Sequence, residues 1–267
     1  YDLEFMENYL SKMRKKLGIT RKAIANDRKL IEELLQTMEE TGADFTNVFR
    51  CLSRIKVHSA DCEKNNEDVL KYILSQCLDP SDLPKEPVAG QLQLLMLMMN
   101  SNPALAAQFE GNPWIQAEKE KMEKAKKLQE VTPEEKRLKD RELWVEWIEK
   151  YRKRIEIDFE EQVEEIHLLN NARVDVMNSN NPRFILRNYI AENAIKAAEK
   201  GDYSVVQHVL SVLESPYSDD IESSLESQNK SKFEQQSEST QVESGSDHVE
   251  FVFDHKAPRW AHKLRVT

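Results

Sequence analysis

The chain has 267 residues, 39% of them hydrophobic and 32% charged, with 6 glycines, 9 prolines and a net charge of −10. Residues 214–250 hold 10 Asp/Glu against two Lys and so carry −8 of that charge, leaving a nearly neutral remainder with neither a basic field for nucleic acid nor an acidic folded face. The longest apolar run, residues 94–99, is far short of the roughly 18 residues of a membrane span, so neither a membrane nor nucleic acid is an expected partner. Cys51, Cys62 and Cys77 are an odd set without C-x-x-C spacing, which argues against a disulfide framework and a zinc site and for reduced structural thiols. The chain opens on Tyr1 rather than Met, straight into a helical pattern, and is expected to be a piece of something longer.

In chain order, Leu3, Met6, Leu10, Met13 and Leu17 recur at three and four residues and predict a first helix closed by Gly18. Its "KMRKK" run falls in the last turn, where cations oppose the helix dipole, so end-capping is a better reading than a nucleic-acid patch. A second helix starts near Asn26 or Asp27, buries Leu30, Ile31, Leu34, Leu35 and Met38, and ends at Gly42. Asp44 is placed to cap a third helix carrying Phe45, Val48, Phe49 and Leu52 inward. A fourth, residues 67–78, sets Val69, Leu70, Ile73, Leu74 and Cys77 on one side, so Cys77 reads as a buried, inert thiol. Three prolines in "DPSDLPKEPVAG" then mark a linker.

Residues 91–100 predict a Leu/Met-rich helix whose Met96, Met98 and Met99 read as core filler rather than a soft-metal surface. Two Asn-Pro pairs follow, each read as a helix start, and residues 118–130 are Lys/Glu-rich with few apolar anchors. "TPEEKR" is a start signal, with Thr132 as cap, Pro133 first and Glu135 reaching back. The long helix it opens carries Leu143, Trp144, Trp147, Ile148, Tyr151, Ile155, Phe159, Val163 and Ile166 as one stripe, and its tryptophan pair reads as core packing rather than a stacking platform. Farther on, Asn181 is expected to cap and Pro182 to open a deeply packed helix through Phe184, Ile185, Leu186, Tyr189, Ile190, Ala194, Ile195 and Ala198, closed by Gly201. Asp202 caps the next, with Val205, Val206, Val209, Leu210 and Leu213 inward. Between Ser218 and Ser246 nine serines lie among acidic residues and almost no apolar ones, the composition of a disordered segment.

Catalytic patterns fail one after another. The two closest glycines, Gly90 and Gly111, are 21 residues apart, which leaves no Gly-rich phosphate loop. There is no G-x-S-x-G, H-E-x-x-H, D-F-G or H-R-D. His58, His167, His208, His248, His255 and His262 are scattered without an i, i+3 or i+4 pair, and acid pairs such as Glu134-Glu135 and Glu160-Glu161 read as solvated helix faces. No catalytic, cofactor-binding or metal-binding residue is assigned in this chain.

Four stretches nonetheless form a recognisable order: "YLSKMRKKLGI" (residues 9–19), "TGADFTNVFRCLS" (residues 41–53), "NPRFILRNYIAENAIKAAEKGDYSVVQHVLSVLESPY" (residues 181–217) and "PRWAHKLRVT" (residues 258–267). Together they resemble the C-terminal part of selenoprotein O, the SelO family of protein adenylyltransferases. The N-P-x-x-x-L-R-N-Y pattern followed by A-E-x-G-D-Y is the specific part, and residues 119–142, parts of 154–178, and 218–246 look like variable insertions. The resemblance implies a protein-kinase-like fold that binds ATP with its phosphates turned around and transfers AMP, with Mg²⁺ or a similar ion, to hydroxyl side chains of proteins. In eukaryotes it implies a mitochondrial, redox-linked enzyme. The family's nucleotide and metal residues all lie upstream of those matching Tyr1, so this chain is expected to be inactive alone, to bind no ATP or Mg²⁺ itself, and to pack on a missing N-terminal kinase-like body.

The expected fold class is therefore mainly α: the helical C-terminal region of a kinase-like fold with a disordered acidic insertion. The expected segments are a large-lobe helical part (1–79), a Pro-containing linker with charged helices (80–132), a long helix plus a packed helical pair (133–217), the acidic insertion (218–248) and a docked C-terminal arm (249–267). Arg50, Asn181, Pro182, Arg187, Asn188, Tyr189 and Trp260 are the signature positions, with Arg50, Arg187, Asn188 and Tyr189 expected as buried polar anchors. In the family the terminal Trp-x-x-x-Leu-x-Val-Ser/Thr is followed by Cys or selenocysteine and two serines, so the stop after Thr267 is expected to be a selenocysteine codon read as termination, which removes the redox-active residue. The competing reading, from another class, is a non-catalytic α-helical interaction or scaffold module with an acidic tail.

Overall fold

A computed structural model describes residues 2–21, 23–57, 62–82, 97–102, 111–113, 115–117, 120, 123, 131–159, 166–218, 258 and 261. Trp260, Met96, Val163, nearly all of the acidic stretch and the C-terminal arm apart from Pro258 and Ala261 fall outside them. The described residues are mainly helical and contain no strand. The helices are α1 (Asp2–Lys16), α2 (Asp27–Thr41), α3 (Phe45–Leu52), α4 (Cys62–Gln76), α5 (Pro133–Phe159), α6 (Ile166–Asn180), α7 (Asn188–Glu199) and α8 (Ser204–Glu214). Contacts divide the chain into one unit of residues 1–77 and 143–267 and a second of residues 78–142.

The stops and starts follow local chemistry. Gly18 and Gly42 adopt φ of 66° and 65° after α1 and α2, a left-handed turn that a Cβ would strain. Asp44 caps α3 by accepting from the Asn47 N–H at 2.9 Å. In the second unit, Glu135 accepts from the Thr132 backbone while the Thr132 hydroxyl accepts from the Glu135 N–H, which closes the expected capping box. The same unit holds the buried i,i+4 pair Lys136–Asp140 at 2.5 Å; burial raises the Asp140 carboxyl despite its lysine partners.

The core of the first unit takes one face from each of α1 to α5. Leu17, Ile31, Leu34, Val48, Phe49, Leu52, Ile73, Trp144, Tyr151 and Ile155 are all sealed from solvent. Trp144 and Trp147 meet edge to face with centroids 6.1 Å apart, and Trp147 stacks on Tyr151 at 5.0 Å, so the tryptophan pair is core packing. Along one edge, Arg154 bonds to Asp27 at 2.5 Å and to Asp158 at 2.8 Å, and these three buried charges tie the start of α2 to α5.

Several expectations need correction. Asn181 and Pro182 do not open a helix: α7 begins at Asn188. The Asn181 N–H closes α6 on the Met177 carbonyl and its amide donates to the Lys16 carbonyl at 2.8 Å, so tertiary bonds have taken the residue that would have capped. The stripe read as one helix ends at Phe159, and Ile166 starts α6. Phe45 is 48% exposed, on a helix whose Val48, Phe49 and Leu52 are buried. Met98 is half exposed rather than core filler. On α7 and α8, Ile190, Val209 and Val212 are buried with Phe184 in a small second cluster, whereas Ile185, Leu186, Ile195, Val206 and Leu210 are exposed, so this pair is not deeply packed.

At Gly18 a side chain would also lack room: a Cβ there would lie 2.5 Å from Cγ of Arg173 and 2.9 Å from Cγ and Sδ of Met177. Gly201, at φ 87°, has the same kind of backbone with nothing within 4 Å. Gly201→Ala is expected to cost only backbone strain, about 1–2 kcal/mol, and Gly18→Ala an additional overpacking cost of about 1–3 kcal/mol. Urea unfolding of the two variants measures the difference, and equal losses would show that α1 and α6 do not meet as described.

Candidate functional site

The signature residues gather where α3, α6 and the segment before α7 meet. Arg50, 8% exposed on α3, donates to the carbonyls of Asn178 at 2.9 Å, Asn181 at 3.0 Å and Tyr217 at 3.4 Å. It thereby satisfies carbonyls left open where α6 ends and where the chain leaves α8. Lys16 adds a bond to the Asn180 carbonyl at 2.8 Å, and burial pulls its ammonium below the usual lysine range. The basic last turn of α1 thus works partly as a cap for a different helix.

Arg187 forms a two-pronged ion pair with Asp44, through Nη1 to Oδ2 and through Nη2 to Oδ1 at 2.9 Å, and reaches Asn47 at 3.3 Å. Burial disfavours its charge, but the bond to Asp44 outweighs that and raises its affinity for the proton. Asn47 in turn donates to Gln76, so the pair links α7 to α3 and α4. Tyr189 is half-buried, with burial pushing its hydroxyl up. Asn188, in contrast, is exposed and is no buried anchor, because it sits on the outer side of the first turn of α7. Pro182 is half-buried in the irregular segment after α6.

Beside this junction lies a cavity of about 780 Å³ between the end of α3 and α6. Arg50, Arg54, Lys56, His167 and Arg173 bring five basic side chains to it, and no carboxylate is among its described lining residues. Arg173, 4% exposed, donates to the carbonyls of Ser53 at 3.2 Å and of Ile55, to the Tyr151 hydroxyl at 3.3 Å and to Met177 Sδ at 3.0 Å. Burial pushes the Tyr151 hydroxyl up, with Arg173 opposing, and it stays a neutral donor to the Leu17 carbonyl at 2.7 Å. Sequence reasoning missed Arg173 and Tyr151's polar role. The only available signal was an arginine four residues before Met177 in an otherwise unremarkable helix.

Among the described residues no group of three His, Cys, Asp or Glu side chains is placed to hold a metal ion. All three cysteines are buried and unpaired with one another, and burial pushes the Cys51 thiol up to about 12.

Comparison with known proteins resolves what this geometry alone leaves open. The family described as protein adenylyltransferase SelO matches residues 1–214. The chain belongs to the SelO family. It is 38% identical to the mitochondrial protein adenylyltransferase SelO-1 of Danio rerio over 97% of this chain and 40% of that protein. To the mitochondrial SelO of Mus musculus it is 36% identical over 100% of this chain and 38% of that protein. A protein nucleotidyltransferase YdiU of Pseudomonas fluorescens is 28% identical over 80% of this chain and 28% of that protein. The chain spans about two fifths of the SelO relatives it matches, and within that span the Arg50 and Arg187 junctions knit together elements of the SelO match.

Because Asp44 both caps α3 and holds Arg187, Asp44→Ala is expected to cost more than Arg187→Ala. The lost charged bonds account for about 1.5–3 kcal/mol in either variant, and the lost cap for about 0.5–2 more in the first. A double-mutant cycle by urea unfolding should return a coupling of about 1–2 kcal/mol, and a value near zero would remove the pair from the structural account. Native protein at pH 8 should also resist thiol modification at Cys51, while urea exposes it. Rapid labelling of Cys51 in the folded state would contradict its burial.

Proposed function

We propose that the chain is the helical C-terminal region of a SelO-type protein adenylyltransferase, which moves AMP from ATP to Ser, Thr or Tyr hydroxyls of other proteins. What carries this reading is family membership across residues 1–214. In such a transfer the hydroxyl oxygen bonds to the α-phosphorus, pyrophosphate leaves and the hydroxyl proton passes to a base. The described residues here do not fit an Mg–ATP site, since no acidic cluster converges. On the family resemblance, ATP and the divalent ion are assigned to a kinase-like body upstream of the residues that match Tyr1, and the chain alone is expected to be inactive. Its role is to pack on that body, with the Arg50 and Arg187 junctions holding this chain's own helices together.

Mitochondrial localisation follows from the resemblance to relatives named mitochondrial in Danio rerio, Mus musculus and Homo sapiens. A redox link would act through a selenol or thiol beyond Thr267, and Cys51, buried with a raised pKa, is a poor partner for it. The scaffold reading is favoured by one observation, the exposed Ile185, Leu186, Ile195, Val206 and Leu210, which suit a surface that docks on another body.

A chimera separates the two. With this chain replacing the matching 40% of the Danio rerio relative, labelled AMP from ATP should appear on a protein acceptor, and this chain alone should give none. A folded chimera without transfer, beside an active parent, would favour the scaffold.

A further inference from the structure

We propose that the cavity between the end of α3 and α6 binds a small phosphate ester. The inference goes beyond the proposed function and does not depend on it.

Three buried or half-buried cations of this protein are matched to acids. Arg154 is paired with Asp27 and Asp158, Lys136 with Asp140, and Arg187 with Asp44. Arg173 is as buried as any of them, yet it meets only carbonyls, a hydroxyl and a thioether, and its Nε has no hydrogen-bond partner. A buried charge without a counter-charge is costly. The carbonyls at the end of α3 carry the negative pole of that helix, equivalent to roughly half a charge, which leaves the guanidinium under-compensated. Arg54 and Lys56, at the exposed rim, form no ion pair among the described residues; Arg54 lies over the Tyr72 ring at 5.4 Å. The described lining thus concentrates positive potential in a partly enclosed space, which favours a multiply charged anion.

Size and the remaining lining narrow the class. About 780 Å³ exceeds what one inorganic phosphate fills and falls within the range of small-molecule sites. Asn170, Asn171 and Asn178 add amide groups to the lining, and amides suit the hydroxyls of an organic ester. A ligand that carries both a phosphate and hydroxyl donors answers both features, as a sugar phosphate does. Free phosphate or pyrophosphate answers only the first.

Calorimetric titration of the 267-residue chain with ribose 5-phosphate, pyrophosphate and inorganic phosphate, at matched ionic strength, tests this. Ribose 5-phosphate should bind saturably and tightest. Arg54→Gln/Lys56→Gln, two exposed positions whose change leaves the unfolding midpoint alone, should weaken it at least about tenfold. Arg28→Gln, on the exposed pair with Glu32, should have no effect. Saturable binding of pyrophosphate or phosphate with no gain for the ester overturns the assignment to an ester. No saturable binding of any probe, or binding that the double variant leaves unchanged, overturns the site.

Discussion

The first unit depends on a guanidinium held by carbonyls, a hydroxyl and a thioether. Arg173 of α6 reaches the carbonyls of Ser53 and Ile55 past the end of α3, the hydroxyl of Tyr151 on α5, and, through its aliphatic stem, the bare Cα of Gly18 after α1. Four elements distant in sequence therefore share one side chain. Carbonyl acceptors suit that role better than a carboxylate would. Each fixes a backbone position, and several bonds from one planar group set the spacing of the segments they come from. Tyr151 completes the arrangement by handing its own proton to Leu17 O, which ties the turn at Gly18 to the same point.

Most of the helices were legible because they obey local rules. Period and capping located α1 to α3, the body of α4 and the start of α5 from the apolar spacing, Gly18, Gly42, Asp44 and the Thr132–Glu135 box, although α4 begins at Cys62 and not at residue 67. The failures share a cause. At Asn181-Pro182 the local signal was a helix start, but Arg50, Lys16 and the end of α6 all claim Asn181, and the backbone stays irregular until Asn188. On α8 the apolar pattern is real, and Val209, Val212 and Leu213 pack, yet Val206 and Leu210 stay exposed, because periodicity reports that a face is apolar and not that anything covers it.

The candidate site was legible in a different way. Arg50 and Arg187 were found because they belong to a family pattern, not because any spacing rule predicts an arginine bonded to three carbonyls or an arginine gripping a helix cap. Arg173 belongs to neither kind of signal. Nothing in "NNARVDVMNSN" (residues 170–180) separates its buried arginine from the exposed ones elsewhere on helices of this chain. Only the close approach at Gly18 and the absence of an acid beside it among the described residues, both properties of the assembled fold, make it distinctive.

Three arginines show how one residue type takes on three roles here. Arg154 is neutralised by two carboxylates, so it fixes the α2–α5 edge without projecting a field. Arg187 shares its charge with one carboxylate that is also a cap, so the helix dipole of α3 and the ion pair reinforce each other at Asp44. Arg173 meets partial charges only, and the potential it retains is directed at a cavity that already gathers Arg54, Lys56 and His167. Arg154, Lys136 and Arg187 are thus matched to acids, while Arg173, beside the cavity, meets no acid among the described residues, and the charge it retains faces the anion site inferred there.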